Sequence, residues 1–115
     1  MLLVRTKLGI SKIHGIGLFA DEFIRQGTII FKEDDFTKKI TKEEVEFLPP
    51  TQRNFIKTYS YFRDGFYRLS LFMNHSDTPN TIDIDDLTIA NYDINIGEEI
   101  TCNYKNIDEL ESNFK

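Results

Sequence analysis

The chain has 115 residues, one cysteine and a formal net charge of -5, from 19 Asp plus Glu against 14 Lys plus Arg. That length suits one domain burying about two thirds of its unfolded surface. Cys102 alone excludes an internal disulfide, and with only His14 and His75 beside it a structural zinc site lacks soft ligands, so a metal-free protein of a reducing, intracellular compartment is expected. The acidic surplus disfavours a nucleic-acid backbone as direct partner and favours a cationic one.

Behind Met1 the apolar opening Leu2, Leu3, Val4 meets Arg5 and Lys7 at once, too soon for a signal-peptide core, and no run approaches membrane-spanning length; no membrane association is expected. LLVRT (2–6) and GTIIFKEDDFTKKI (27–40) read as strands from their β-branched content and rough alternation. Between them GIGLFADEFIRQG (15–27) is punctuated by glycines in the manner of tight turns. Thr41 followed by Glu44 predicts a capping box opening a short helix, TKEEVEFL (41–48), that Pro49 and Pro50 end. A second helix is predicted over TQRNFIKTYSYF (51–62), with Phe55, Ile56, Tyr59 and Phe62 at helical spacing. NTIDI (80–84) and LTIANYDI (87–94) read as a hairpin about Asp85 and Asp86, and NIGEE (95–99) turns the chain into ITCNY (100–104). Alternation along that last strand puts Ile100, Cys102 and Tyr104 on one face and Thr101 and Asn103 on the other. With no repeat or low-complexity linker, the sum is a single β-rich α+β domain.

FMNHSDTPN (72–80) stands out, because it crowds an amide, an imidazole, a hydroxyl and a carboxylate behind an apolar stretch. Polar groups beside a core cost free energy unless each finds a partner. The cluster is therefore either a satisfied loop, with Asn74 and Ser76 as turn formers and His75 as a core imidazole, or a site for a polar ligand. Likewise, a lone GIG is by itself only a turn, and Tyr104 on a strand only a packed aromatic.

Three segments together resemble the SET domain family, most of whose members are protein-lysine methyltransferases using S-adenosylmethionine. They are HGIGLFA (14–20), the run holding Asn74, His75, Ser76, Pro79 and Asn80, and GEEITCNY (97–104). The match covers about residues 3 to 105, and in length the chain is similar to the minimal viral SET proteins. The resemblance implies the SET fold: a β-clip of several small sheets, a short helical insert and a C-terminal pseudoknot. It implies that the Asn74 side chain and the His75 backbone hold the methionine and adenine parts of S-adenosylmethionine, that the loop of Gly15, Ile16 and Gly17 lies against that cofactor, and that the hydroxyl of Tyr104 is catalytic where methyl donor and substrate amine meet. It also implies a lysine channel walled by aromatics, for which Tyr59 and Tyr61 are the preferred candidates among Tyr59, Tyr61, Phe62, Phe66 and Tyr67. Cys102 falls where many relatives carry a larger aromatic, so a channel admitting more than one methyl group is expected.

The chemistry implied is attack of a neutral lysine amine, a form that costs about 4 kcal/mol at neutral pH and that a desolvating channel favours. The substrate expected is a lysine in a basic protein or peptide, a histone-like tail included; the alternatives are a catalytically silent SET-like binding or scaffold module, and a sensor that holds cofactor or peptide. Cytoplasmic placement is expected, or nuclear for a chain from a eukaryote or from a virus acting in one. A homodimer is compatible with so small a domain. The chain departs from larger relatives in lacking a cysteine-rich segment and a second aromatic after Tyr104, which leaves Phe114 in the tail (106–115) to fold back over the adenine or to fray.

Overall fold

A computed structural model describes residues 1–34, 38–69 and 71–106 of the chain. In chain order the strands are β1 (Thr6–Ile10), β2 (Ile16–Ala20), β3 (Ile29–Lys32), β4 (Lys39–Thr41), β5 (Ser60–Arg63), β6 (Phe66–Leu69), β7 (Asn74–His75), β8 (Thr81–Ile84), β9 (Leu87–Ala90) and β10 (Glu99–Cys102). Helices α1 (Lys42–Glu46) and α2 (Pro50–Tyr59) stand between β4 and β5, and a 3-10 turn, Tyr104–Asn106, follows β10. The strands form three small sheets in the orders β1-β2-β10-β7, β3-β9-β8 and β4-β6-β5. This is the strand-rich architecture with a short helical insert that the sequence leads one to expect.

Several boundaries differ from the sequence reading. The first strand is Thr6–Ile10 and not residues 2–6; Leu2 makes only an isolated bridge to Phe31, while the Leu3 amide donates to the Ile30 carbonyl at 2.8 Å. β1 is an edge strand with Leu8 and Ile10 exposed, so no buried periodicity marks it. The stretch 27–40 supplies two strands in different sheets. Thr41 caps α1 with both arms of the capping box in place, as predicted. Pro50, however, opens α2 at its first turn, where a missing N–H costs nothing.

The second helix ends at Tyr59 instead of running to Phe62. The Ser60 hydroxyl donates back to the Ile56 carbonyl, and Tyr61 and Phe62 leave the helix to pair with Arg68 and Tyr67 of β6. A serine that bonds the preceding turn and a β-favouring aromatic pair outweigh helical spacing here. The β8–β9 hairpin forms as expected, and Asp85 takes the left-handed backbone (φ 53°) that aspartate tolerates in a tight turn.

β10 is buried on both faces, with Ile100, Thr101 and Cys102 all buried, and it ends at Cys102. Tyr104 therefore lies in the 3-10 turn and not on the strand, so the predicted alternation stops two residues short of it. Leu18 and Ala20 of β2, Ile100 and Cys102 of β10, Ile30, Ala90 and Met73 make the core, closed at one end by reciprocal backbone bonds between Ile24 and Ile94 at 2.8 Å. The decisive placement is β7. It runs parallel to β10, Asn74 opposite Thr101 and His75 opposite Cys102, while β10 also pairs with β2. Three segments far apart in sequence thereby meet side by side.

Candidate active site

Asn74 is 3% exposed, and its amide Nδ2 donates to the carbonyls of His14 and Ile16 (both 3.1 Å) and to Glu99 Oε2 (2.9 Å). The Glu99 carboxylate also accepts from Ser11 Oγ, at 2.8 and 2.9 Å. One buried node thus ties the β1–β2 turn, the β7 bend and β10 together. The two glycines of the turn are required by this packing. A Cβ on Gly17 would fall within 2.9 Å of Glu99 Cδ and 3.0 Å of Ser11 Cβ. Gly15 has a left-handed backbone (φ +47°), and a Cβ there would fall 2.7 Å from the Tyr59 hydroxyl. The sequence reading gave this loop's glycines to cofactor approach; within the protein, the side chains of Tyr59, Glu99 and Ser11 also stand where a Cβ would point.

His75 and Tyr104 interlock. The Tyr104 amide donates to His75 Nδ1 (3.0 Å), which makes that nitrogen an acceptor and leaves the proton on Nε2, 3.0 Å from Asp77 Oδ1. That bond, and then Lys105, holds the Asp77 carboxyl below the usual aspartate range. The phenol of Tyr104 is 2% exposed and donates to the Met73 carbonyl at 2.6 Å, one residue before Asn74. Asn80 completes the clasp, accepting from the Thr101 amide (2.9 Å) and donating to the Glu99 carbonyl (2.8 Å) as an extra strand would. The Ser76 amide donates to the Cys102 carbonyl (2.9 Å).

On the far side of Met73 and Cys102 lies a cavity of about 30 Å³. Tyr61, Asp83 and Thr88 are among its other walls, and Glu33, Asp85 and Asp86 make its approach acidic. Burial, and secondarily Glu33, pushes the Tyr61 phenol up to about 12, so it is neutral at physiological pH. Burial likewise raises the Cys102 thiol well above its ordinary value, with Asp83 adding to the effect; Cys102 is a packed wall and not a nucleophile.

The chain matches the SET domain family over residues 15–105. It belongs to that family. Among solved structures it is similar to a proposed histone methyltransferase of Plasmodium falciparum, at 27% identity and a TM-score of 0.58, over 90% of this chain and 95% of that one. A humanized Chaetomium thermophilum Polycomb Repressive Complex 2 bound to the inhibitor GSK126 shares the fold, with 24% identity and a TM-score of 0.61 over 94% of this chain and 16% of that one. No curated protein sequence matches.

Within this SET domain the residues expected at the site fall into two groups. Gly15, Ile16, Gly17, Asn74, His75 and Tyr104 come together in the node and interlock described above. Tyr61 and Cys102 share the cavity, but Tyr59 lies elsewhere: its ring packs on Phe55 (5.2 Å) and Phe72 (4.9 Å), with His14 at 6.5 Å. Ring packing at the end of α2 directs Tyr59 to the glycine turn, whereas Tyr61, two residues on in an extended strand, points into the cavity. Glu99 and Ser11 were missed as site residues. The signal for Glu99 was in the GEE run, although nothing in the sequence showed that it meets Gly17. Asp83, a further wall of the cavity, looks in the sequence like any acidic residue beside a turn. Phe114 and the rest of the tail beyond residue 106 lie outside the described residues.

Proposed function

We propose that this SET domain is an S-adenosylmethionine-dependent protein-lysine N-methyltransferase acting on a basic protein or peptide. The observation that carries the reading is the interlock of Tyr104 with His75 and Met73, which fixes the phenol on the carbonyl of a residue that walls the cavity, one position before Asn74. The residues fit the cofactor: His14 Nδ1 is buried without a hydrogen-bond partner, next to the exposed backbone of Gly15 and Ile16, so this corner retains polar capacity. Gly15, Ile16, Gly17, Asn74, His75 and Tyr104 would hold it. When bound, S-adenosylmethionine supplies an electrophilic methyl group.

The chain's own part is positioning and desolvation. Tyr104 presents a hydroxyl fixed by the Met73 carbonyl and orients the amine. The apolar walls around Tyr61, Met73 and Cys102 exclude water and favour a neutral amine over a solvated ammonium. The acidic approach of Glu33, Asp85 and Asp86 steers a cationic segment to the entrance.

A second reading, the silent scaffold, draws on the fact that the Asn74 amide and the Tyr104 hydroxyl are both satisfied by protein acceptors. Calorimetry separates the two. At one hundred times its dissociation constant the cofactor adds about 2.7 kcal/mol of stability. A melting curve unmoved by saturating S-adenosylmethionine favours the scaffold. Radiolabelled methyl transfer to a lysine-rich protein is then lost in Tyr104→Phe while the cofactor-induced shift remains; undiminished transfer in that variant overturns the role of the phenol.

A further inference from the structure

The imidazole of His75 stands between two neighbours that protonation sets against each other. At Nδ1 it accepts the backbone N–H of Tyr104 at 3.0 Å, in a buried bond. At Nε2 it faces Asp77 Oδ1, also at 3.0 Å, and Asp77 is exposed, with Lys105 Nζ 3.7 Å from the same oxygen. From β10, Cys102 lies opposite His75 in the parallel register, and burial keeps its thiol protonated. From the 3-10 turn the ring of Tyr104 stands 5.9 Å away, its phenol donating to the Met73 carbonyl. His75 thus has a backbone donor on its inner nitrogen and an anion on its outer one.

An amide N–H only donates, so it can bond to Nδ1 while that nitrogen carries a lone pair and not once it carries a proton. A second proton on the ring sets N–H against N–H, and the buried Tyr104 amide loses its acceptor, a penalty that the chain relieves by moving the amide away. Asp77 acts in the opposite sense, because its negative charge beside Nε2 attracts that second proton. The exposed acid thereby sets how readily the buried bond is given up. We infer that the side chain of His75 is the positioning residue of Tyr104 and forms with Asp77 an acid-sensitive latch. The neutral imidazole closes the latch; protonation opens it and frees the phenol from the Met73 carbonyl. The consequence for activity, loss of methyl transfer on acidification, rests on the methyltransferase reading, whereas the latch itself does not.

The test needs neither cofactor nor turnover. The full chain, labelled with ¹⁵N, is taken from neutral pH downwards while NMR follows the ring nitrogens of His75 and the amide of Tyr104. At neutral pH the proton is expected on Nε2; on acidification the Tyr104 amide signal moves with the same midpoint as the ring. The amides of Ile24 and Ile94, each bonded to the other's carbonyl, stay in place through that step. Asp77→Asn keeps an acceptor for Nε2 without the charge, and its midpoint shifts to lower pH. His75→Asn puts an amide oxygen where Nδ1 was, an acceptor that does not titrate, so the Tyr104 signal is restored and loses its acid step. A proton on Nδ1 at neutral pH, a Tyr104 amide that ignores the ring, an unmoved midpoint in Asp77→Asn, or a step that carries Ile24 and Ile94 with it overturns the latch. Methyl transfer by a chain without the coupled step defeats this inference alone. A latch that titrates as stated in a chain whose melting curve ignores saturating S-adenosylmethionine defeats only the methyltransferase reading.

Discussion

The node around Asn74 and the cavity around Asp83 lie on either side of Met73 and differ in kind. In the node almost every polar atom has a protein partner: Asn74 satisfies two carbonyls and a carboxylate, His75 serves Tyr104 and Asp77, and Asn80 imitates a strand. In the cavity Asp83 accepts a hydrogen bond from Thr88 and feels the charge of Arg63, whose buried Nε has no hydrogen-bond partner among the described residues. Motif residues therefore need not touch a ligand to matter. The node holds three chain segments in register, whereas the cavity leaves open space beside acidic side chains.

The comparison breaks most visibly at Gly17. A methyl there collides with Glu99 and Ser11, both of which are held by the hydrogen bonds of the node and cannot yield separately. Gly17→Ala is expected to cost about 3 kcal/mol, at the upper end for overpacking, read as a lower urea midpoint. If the loss is under about 0.5 kcal/mol, the node is looser than its geometry and the contrast with the cavity fails. His75→Ala comes next, since it leaves the buried Tyr104 amide without its acceptor; a loss of about 2 kcal/mol is expected, with an unchanged denaturant slope. Unchanged stability in that variant would mean that water replaces the imidazole.

Much of this was legible in the sequence where the determinant is local. The Thr41–Glu44 cap, the Asp85 turn and the motif residues around Asn74 all act within a few positions of themselves. The end of α2 was not legible, because Phe55, Ile56, Tyr59 and Phe62 keep helical spacing past the point where pairing with β6 takes over. Tyr59 and Tyr61 looked equivalent for the same reason: a helix and a strand send residues i and i+2 in different directions, and the boundary falls between them. Gly17 was found, but its contact with Glu99 was not, since Glu99 reaches it only through the β2–β10 pairing. Asp83 was invisible because its inward placement inverts the very periodicity by which buried residues are recognised.

That inversion leads to the smallest effect, which has the opposite sign to the others. Burial raises the Asp83 carboxyl above its ordinary value of 3.8, more than the bond from Thr88 and the charge of Arg63 lower it. The folded state therefore binds this proton more tightly than the unfolded chain, and Asp83 withdraws stability as pH rises from the unfolded value through the folded one. Asp83→Asn removes that ionisation and keeps the Thr88 bond. The variant is expected to melt above the wild type at neutral pH, with the gain shrinking on acidification and gone by about pH 3, where the carboxyl is protonated in both states. A variant less stable than wild type at neutral pH would instead make Asp83 a structural partner of Thr88, and the cavity would then be as complete as the node.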